Sequence, residues 1–293
     1  MSTFSGFESI VKEKCPLSDF TWYRLGGCAD YLIRPQTIEQ LKDVMQRCLE
    51  NSIPVRVLGF GSNLLVSDDG VRGAVLKLDA EAFSSVQFDK NTLTAGAGVN
   101  LNKLVLDSVR KGLSGLEALT GIPGSLGGSI RMNAGGNFGD IGSSIESVTV
   151  MDKQGEIFKK SKPELVFDYR WVNITAPIIL DATLELTESD SDAMLKTIKE
   201  VWIYKKNSQP LNTKNAGCIF KNPRGLSAGA LIDRAGLKGT QIGGAVVSEK
   251  HANFITTEKG CTSKDVRQLM ELVRTKVKES FDVILEPEIE IWQ

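Results

Sequence analysis

The fold is decided by the stretch Gly121-Ile122-Pro123-Gly124-Ser125-Leu126-Gly127-Gly128-Ser129-Ile130-Arg131-Met132-Asn133-Ala134-Gly135-Gly136, in which six of sixteen residues are glycine. Pro123-Gly124 fits the two central positions of a type II turn, where glycine adopts a positive φ. Gly127 and Gly128 lack side chains, so their backbone N–H groups can approach a ligand or line an anion-binding concavity, and Ser125 adds a hydroxyl donor. The stretch therefore suits a diphosphate, although a glycine-rich loop considered alone is more often a tight connection between packed elements.

A second turn of the same chemistry lies within residues 55–68, VRVLGFGSNLLVSD. A β-branched run precedes the turn Gly59-Phe60-Gly61-Ser62-Asn63, and an apolar run follows it. This is not a dinucleotide-binding fingerprint, because Leu64 replaces the third glycine and no helical pattern follows. It is not a P-loop either, since no Gly-Lys-Ser/Thr ends it. Two such turns in one domain favour a long cofactor with two phosphates.

The composition argues against several classes of function. The chain has 293 residues with 35 basic and 36 acidic side chains, a formal charge of −1 and no basic block, so neither nucleic acid nor an anionic membrane is an expected partner. No apolar run reaches membrane-spanning length, and residues 1–17 contain no signal-peptide core. The five cysteines are irregularly spaced without a CxxC pair, which fits a reducing cytoplasm. With His251 as the single histidine, we expect no metal site, and a monomer is the default.

The predicted elements indicate a mixed α/β (α+β) protein. Residues 17–80 form a βαβ-containing lobe, in which Thr37 and Gln40 are predicted to form a capping box at the start of a helix. Residues 81–190 add further strands around a helix and the glycine-rich stretch.

Residues 191–293 are predicted to form a separate α+β region. Ser191 or Asp192 is expected to cap its first helix, which should bury one stripe of apolar residues: Met194, Leu195, Ile198, Val201 and Trp202. The last strand is predicted over Val283–Ile291, where three glutamates alternate with apolar positions: Glu286, Glu288 and Glu290.

The two glycine turns and their neighbours resemble one family. Three segments are similar to the UDP-N-acetylenolpyruvoylglucosamine reductases: Gly59-x-Gly-Ser-Asn-Leu-Leu-Val-x-Asp68, Gly121-Ile-Pro-Gly-Ser-x-Gly-Gly128 and Met132-Asn-Ala-Gly135. The likeness runs from about Leu17 to Trp292. It implies a two-lobed FAD-binding domain of the vanillyl-alcohol-oxidase (PCMH) type over residues 17–190, with lobes at about 17–80 and 81–190. A smaller C-terminal α+β substrate domain over residues 191–293 is implied as well.

The resemblance also implies a reaction. It is the NADPH-dependent reduction of UDP-N-acetylglucosamine enolpyruvate to UDP-N-acetylmuramate through bound FAD, a cytoplasmic step of peptidoglycan synthesis and thus of cell-wall formation. Because His251 lies in the C-terminal region, non-covalent FAD is expected, although a cysteine link stays open. The implied FAD-binding residues are Gly59, Gly61, Ser62, Asn63, Leu64, Gly121, Ile122, Pro123, Gly124, Ser125, Gly127, Gly128, Asn133 and Ala134.

Three residues match the family's catalytic positions. Arg170, in Tyr169-Arg170, is implied to stabilise the negative charge that develops on the substrate carboxylate, although Val172 stands where the family usually has Ser. Cys218 stands at the family's proton-donating Ser within Asn215-Ala-Gly-Cys-Ile-Phe-Lys-Asn-Pro223; a thiol of pKa about 8.5 stays mostly protonated at neutral pH. We therefore expect Cys218 to donate the proton and to make the enzyme sensitive to alkylation. Glu288, in Leu285-Glu-Pro-Glu-Ile289, is implied to orient the substrate or support the donor.

The resemblance implies four substrate-binding residues: Tyr169, Asn222, His251 and Lys206, with Lys205 as the alternative lysine for the diphosphate. Arg170 and Cys218 are 48 positions apart (218 − 170), which resembles the family branch without an extra Tyr-bearing substrate loop. Without the family context, a surface ion pair for Arg170 and a solvated strand face for the glutamates are the commoner explanations.

Two other functions stay open on the sequence. One is another FAD oxidoreductase of the same fold, which acts on a different acid or alcohol. The other is a catalytically silent flavin- or nucleotide-binding module, which the replacements at Cys218 and Val172 would suit. The sequence argues against a catalytically silent module, because it retains Arg170, an acidic group at residue 218 and Glu288.

Overall fold

A computed structural model describes residues 3–293 of the chain. Helices and strands are both abundant, as the sequence predicts. The α-helices are α1 (Ile38–Glu50), α2 (Leu101–Arg110), α3 (Leu126–Arg131), α4 (Ser191–Ser208), α5 (Ala228–Arg234) and α6 (Ser263–Phe281). Short 3-10 turns occupy Ser18–Phe20, Glu81–Phe83, Glu117–Leu119, Ile141–Ser144 and Lys162–Glu164.

The strands are mostly short. Those before residue 100 are β1 (Val11–Pro16), β2 (Cys28–Ile33), β3 (Val55–Val57), β4 (Leu64–Val66), β5 (Val71–Leu76), β6 (Val86–Asp89) and β7 (Thr92–Gly96). The later ones are β8 (Leu113–Ser114), β9 (Gly135–Gly136), β10 (Gly139–Asp140), β11 (Ile145–Met151), β12 (Ile157–Ser161), β13 (Phe167–Asp168), β14 (Trp171–Val172), β15 (Ile178–Glu185), β16 (Thr187–Glu188), β17 (Gln241–Ile242), β18 (Ala245–Val247), β19 (Ile255–Thr257) and β20 (Glu290–Trp292).

The chain divides into two compact units. Unit 1 comprises the described residues up to 14 with residues 30–60 and 73–204, and unit 2 comprises residues 15–29, 61–72 and 205–293. These units do not follow the predicted boundaries at 17–190 and 191–293, because early segments pack with C-terminal ones. In unit 2, β4 pairs in parallel with β20, so that Leu64 lies beside Glu290. A functional division at residue 190 stays a prediction.

Among its described residues, unit 1 contains two larger sheets, besides three two-stranded ones, and two hydrophobic cores. One sheet has the strand order β1-β2-β5-β3 and the other the order β12-β11-β15-β7-β6. Helix α1 buries Leu41, Val44 and Met45 in the first core, since these apolar positions recur at helical spacing. Of its predicted capping box, Thr37 accepts from the N–H of Gln40, whereas the Gln40 side chain accepts from the N–H of Gln36 instead.

The second sheet of unit 1 is antiparallel and supports the glycine-rich stretch. β15 lies at its centre, with Ala182 opposite both Val148 of β11 and Ala95 of β7. Its core includes Leu126 and Ile130, the apolar residues of the short helix α3. The glycine-rich stretch is therefore anchored on a buried sheet.

Unit 2 is built around α6. This helix has a capping box, in which Thr262 and Asp265 satisfy each other's backbone N–H groups, and it buries one stripe: Val266, Leu269, Met270, Val273 and Val277. The antiparallel sheet β17-β18-β19 and the buried Tyr23 complete its core, and the Tyr23 hydroxyl donates to the carbonyl of Ile255 at 3.2 Å.

Two details of the C-terminal prediction were wrong. Asp190 accepts from the N–H of Ala193 and so caps α4 in place of Ser191 or Asp192, while Leu195 and Trp202 of the predicted buried stripe are exposed. The last strand is confined to Glu290–Trp292, because Pro287 forms only an isolated bridge, to Phe220. Within residues 3–293, no helix is both long enough and apolar enough to cross a bilayer.

Candidate active site

The two predicted glycine turns meet in unit 1. A Cβ atom on Gly59 would lie 2.7 Å from the Oγ atom of Ser125, so a larger residue here would require the Ser125 side chain to move. The ammonium group of Lys77, a residue that the sequence analysis missed, donates to the Gly59 carbonyl at 3.0 Å. Burial lowers the pKa of Lys77, while the nearby Asp79 carboxylate opposes this shift. A lysine at the end of a buried strand gives no sequence signal of this contact.

The glycine-rich stretch differs from its prediction in the turn at Gly124 and in the partners of its backbone N–H groups. Gly124 has φ 152°, far from the roughly 80° of a type II turn. Ser125 caps α3 by accepting from the N–H of Gly128 at 3.3 Å; a hydroxyl that accepts can still donate, so its role as a donor to the cofactor stays a prediction. The N–H of Gly127 donates to the carbonyl of Ala97 at 2.9 Å. Because Gly127 has no Cβ atom, α3 can approach the residue that follows β7 this closely. The N–H groups of Gly127 and Gly128 therefore bond within the protein.

The start of the stretch is held in the same way. The N–H of Gly121 donates to the Oδ1 atom of Asn102 at 2.8 Å, and the Asn102 amide donates to the carbonyl of Ile122 at 3.1 Å. Helix α2 thus fixes the backbone that leads into Pro123.

The rest of the first turn, Gly61 to Leu64, belongs to unit 2. The Nδ2 atom of Asn63 donates to the carbonyl of Glu288 at 3.1 Å, and the N–H of Glu290 donates to the carbonyl of Asn63 at 3.0 Å. Leu64 is buried in β4. The side chain of Asn63, predicted to bind FAD, therefore holds the backbone of a predicted catalytic residue.

Arg170 lies in a hairpin loop of unit 1. Tyr169 and Arg170 link β13 to β14, and Arg170 adopts a left-handed φ of 55°. Its Nη2 atom donates to the carbonyl of Gly135 at 2.9 Å, and its guanidinium lies 5.1 Å from the centre of the Tyr169 ring. Val172 is buried in the core, so this position is used for packing.

Asn133 and Ala134 also have partners inside unit 1. Asn133 is buried, with its Nδ2 atom donating to the carbonyl of Asp168 and its Oδ1 atom accepting from the N–H of Gly142. The N–H of Ala134 donates to the carbonyl of Ser129 at 2.8 Å. Both residues therefore stabilise the local fold.

Cys218 lies in an irregular segment of unit 2 and is half-buried. Asn253 holds the residues that follow it: its Oδ1 atom accepts from the N–H of Phe220 at 3.0 Å, and its backbone carbonyl accepts from the N–H of Ile219 at 2.9 Å. On the other side, the N–H of Glu288 donates to the carbonyl of Ile219 at 2.7 Å. The segments of Cys218 and Glu288 are thus directly hydrogen-bonded.

Glu288 differs from the neighbouring glutamates. It is half-buried, whereas Glu286 and Glu290 are exposed, so the alternation of these residues with apolar ones does not make them equivalent.

His251 is half-buried with its Nδ1 atom accepting from the N–H of Asn253 at 3.2 Å. Burial lowers its pKa, and a neutral ring that accepts at Nδ1 carries its hydrogen on Nε2.

The remaining predicted substrate residues are distributed over both units. Asn222, in unit 2, accepts from the N–H of Ala228 at 2.9 Å and so supports the start of α5. Lys206 is exposed, whereas Lys205 is buried. Tyr169 is exposed beside Arg170 in unit 1.

The residues of unit 1 fit part of a dinucleotide cofactor. Gly59 lets the Ser125 hydroxyl approach its turn closely, and the Lys77 ammonium supplies positive charge at the same turn. In the described part of the chain, no group of three His, Cys, Asp or Glu side chains is arranged to hold a metal ion.

Comparison with known proteins identifies the family. A family profile described as the C-terminal domain of UDP-N-acetylenolpyruvoylglucosamine reductase matches residues 209–292, and one described as an FAD binding domain matches residues 29–161. The chain is 42% identical over 281 residues to the UDP-N-acetylenolpyruvoylglucosamine reductase of Lachnoclostridium phytofermentans, covering 94% of this chain and 91% of that protein. The chain belongs to the UDP-N-acetylenolpyruvoylglucosamine reductase family.

Two further comparisons agree. The reductase of Bacillus velezensis is 39% identical over 284 residues, covering 96% of this chain and 93% of that protein. The crystal structure of the reductase from Thermus caldophilus matches with a TM-score of 0.84 and 40% identity, covering 96% of this chain and 98% of that chain. The predicted mixed α/β fold with an FAD-binding domain and a smaller C-terminal reductase domain is confirmed, as is an FAD-dependent oxidoreductase with NADPH as co-substrate. The family branch without the substrate loop stays a prediction.

Proposed function

We propose that this reductase converts UDP-N-acetylglucosamine enolpyruvate to UDP-N-acetylmuramate during peptidoglycan synthesis. Besides family membership, one observation carries the proposal: the backbone of Glu288 is bonded directly to the residue after Cys218. A candidate proton donor and a carboxylate are therefore held by one hydrogen-bonded framework. When bound, FAD would supply the transfer of hydride from NADPH to the β-carbon of the enolpyruvyl group, with Gly59, Ser125 and Lys77 among the residues that would hold it.

Arg170 is proposed to bind the substrate carboxylate. Negative charge develops on the α-carbon and this carboxylate when hydride reaches the β-carbon, and a cation placed there in advance lowers the barrier. The planar guanidinium suits a carboxylate because it can donate two parallel hydrogen bonds. Its bond to Gly135 and its place in a two-residue loop support a fixed position.

Cys218 is proposed to complete the reaction by protonating the α-carbon. The S–H bond breaks as the new C–H bond forms, which leaves a thiolate that must regain a proton before the next turnover. A thiol is a stronger acid than the serine hydroxyl that it replaces, so it can keep the role of general acid. Glu288 is proposed to support this proton donor or to orient the substrate.

The other assignments divide between cofactor and substrate. Gly59, Ser125 and Lys77 are proposed to contact the cofactor in unit 1. The other residues of the two glycine turns are proposed to set the backbone conformation of those turns. His251 is proposed to donate from Nε2 to the sugar nucleotide, because its Nδ1 atom is already an acceptor. Asn222 and one lysine of the pair Lys205–Lys206 are proposed to contact the UDP-sugar.

The decisive experiment follows the flavin absorbance of the NADPH-reduced protein, without oxygen, after UDP-N-acetylglucosamine enolpyruvate is added. Rapid reoxidation by wild type, a strong loss in Cys218→Ala and recovery in Cys218→Ser support the reaction and the donor. Cys28→Ala is the matched control because Cys28 is also half-buried. This substitution should leave the rate of flavin reoxidation unchanged. Rapid reoxidation in Cys218→Ala would refute the thiol's role, and no reoxidation in wild type would refute the reaction.

A further inference from the structure

Asn133 is almost completely buried, with 2% of its surface exposed. Its Nδ2 atom donates to the backbone carbonyl of Asp168 at 2.9 Å, and its Oδ1 atom accepts from the N–H of Gly142 at 3.0 Å. Its backbone adopts φ 40°, a conformation that Asn tolerates better than most residues. Both ends of the buried amide are therefore engaged inside unit 1.

A second hydrogen bond joins the same two segments. The guanidinium of Arg170 donates to the carbonyl of Gly135 at 2.9 Å, and Gly135 is two residues after Asn133. Asp168 and Arg170 belong to one hairpin, which β13 and β14 close with Phe167 opposite Val172. The segment from Asn133 to Gly135 thus holds the hairpin at two points, one on its backbone and one on its functional side chain.

We propose that Asn133 is a positioning residue for Arg170 and not a ligand of the cofactor. The inference rests on the proposed function, in which Arg170 stabilises charge on the substrate. The contacts of Asn133 explain why an amide is needed. Its Nδ2 atom donates to a carbonyl of the hairpin, while its Oδ1 atom accepts from the N–H of Gly142. Neither a carboxylate nor an apolar side chain of similar size can make both bonds.

The effect on the reaction should be selective. Arg170 holds a left-handed backbone, which costs a non-glycine residue about 1 kcal/mol and is kept only where its surroundings impose it. Loss of the Asn133 bond would let the loop relax and move the guanidinium. Displacement of a preorganised charge by about 1 Å can cost up to about 100-fold in rate. Reduction of FAD by NADPH does not involve the substrate carboxylate and should not change.

The test is a double-mutant cycle on the FAD-loaded protein with Asn133→Gly, Arg170→Ala and the double variant. Glycine suits the positive φ, so this change removes the side-chain bonds without backbone strain. We expect Asn133→Gly to slow substrate-driven flavin reoxidation about tenfold in wild type but less than about twofold in the Arg170→Ala background. The rate of reduction by NADPH and the dissociation constant of FAD should stay unchanged, and the fall in Tm should be equal in both backgrounds.

Asn173 provides a matched control in the same hairpin region. Its Nδ2 atom donates to the carbonyl of Glu164 at 2.9 Å, and its Oδ1 atom accepts from the N–H of Val166 at 3.0 Å. Asn173→Ala therefore removes the same kinds of bond without touching residues 133–135, and reoxidation should stay within about twofold of wild type. If Asn133→Gly fails to fold, Asn133→Asp loses the donor to Asp168 but keeps the acceptor for Gly142.

Three results would overturn the inference. An equal loss of rate from Asn133→Gly in both backgrounds would show that it does not act through Arg170. A weakened FAD affinity with an unchanged rate at saturating FAD would make Asn133 a cofactor ligand. Unimpaired reoxidation in Arg170→Ala alone would remove the proposed role of Arg170 and, with it, any reason to position it.

Discussion

The backbone N–H of Glu288 donates to the carbonyl oxygen of Ile219 at 2.7 Å, one residue after Cys218. The neighbouring N–H of Lys221 donates to the carbonyl of Glu286 at 2.9 Å, so the two segments are joined at two successive points. Residues 69 and 65 positions apart in the sequence (288 − 219 and 286 − 221) are thereby held in a fixed relation. This relation makes Cys218 and Glu288 parts of one candidate site in unit 2.

Asn63→Ala should weaken this arrangement. The change removes the amide that donates to the Glu288 carbonyl at 3.1 Å, and loss of such a bond costs about 1 kcal/mol in unfolding free energy. Urea unfolding of the variant measures this cost. Asn51→Ala, which removes an exposed amide bond at the end of α1, is the control and should lose less. An Asn63→Ala protein as stable as wild type would contradict the expected contribution.

Gly127→Ala should destabilise the protein by about 1–3 kcal/mol, because the new Cβ atom would lie 2.7 Å from the Cβ of Ala97 in a packed core. Gly136→Ala is the matched control, since no atom lies within 4 Å of a Cβ placed there, and it should change stability by less than about 0.5 kcal/mol. Thermal unfolding distinguishes the two variants. Equal melting temperatures would mean that α3 can move away from Ala97 at little cost.

His251 should make stability depend on pH. Burial lowers its pKa in the folded protein, so the unfolded chain binds the proton more readily, and stability is lost as pH falls below the ordinary value of about 6.5. In His251→Asn, whose Oδ1 atom can still accept a hydrogen bond, the fall in unfolding free energy between pH 7.5 and pH 5.5 should be smaller. Urea titrations at both pH values test this, and an identical fall in both proteins would contradict it.

Lys77→Met should weaken FAD binding. The change removes the ammonium that bonds to the Gly59 carbonyl and leaves that carbonyl without its charged donor, a loss that corresponds to about tenfold in the FAD dissociation constant. Lys77→Arg keeps a charged donor and should retain more of the affinity. Quenching of flavin fluorescence on titration of the apoprotein measures both constants. Unchanged affinity in Lys77→Met would exclude Lys77 from the cofactor site.

The sequence predicted local structure best where the signal lies within a few residues. The helix after Thr37 follows from a cap and an apolar spacing of three to four residues. The last strand was predicted too long because alternation of glutamates with apolar residues resembles a strand, whereas the segment before Glu290 makes only an isolated bridge, between Pro287 and Phe220. Burial, which separates Glu288 from Glu286, has no local signature.

By itself, the sequence determined the family, the mixed α/β fold and the identity of the candidate residues, because glycine turns and the blocks around Arg170, Cys218 and Glu288 are contiguous patterns. Only the tertiary structure decided which side chains hold these residues in place. Asn63 and Asn133 lie in segments that suggested cofactor contacts, yet their amides bond to the backbones of Glu288 and Asp168. A buried amide must find its partners wherever folding brings a carbonyl within reach, and that distance in space cannot be read from distance along the chain.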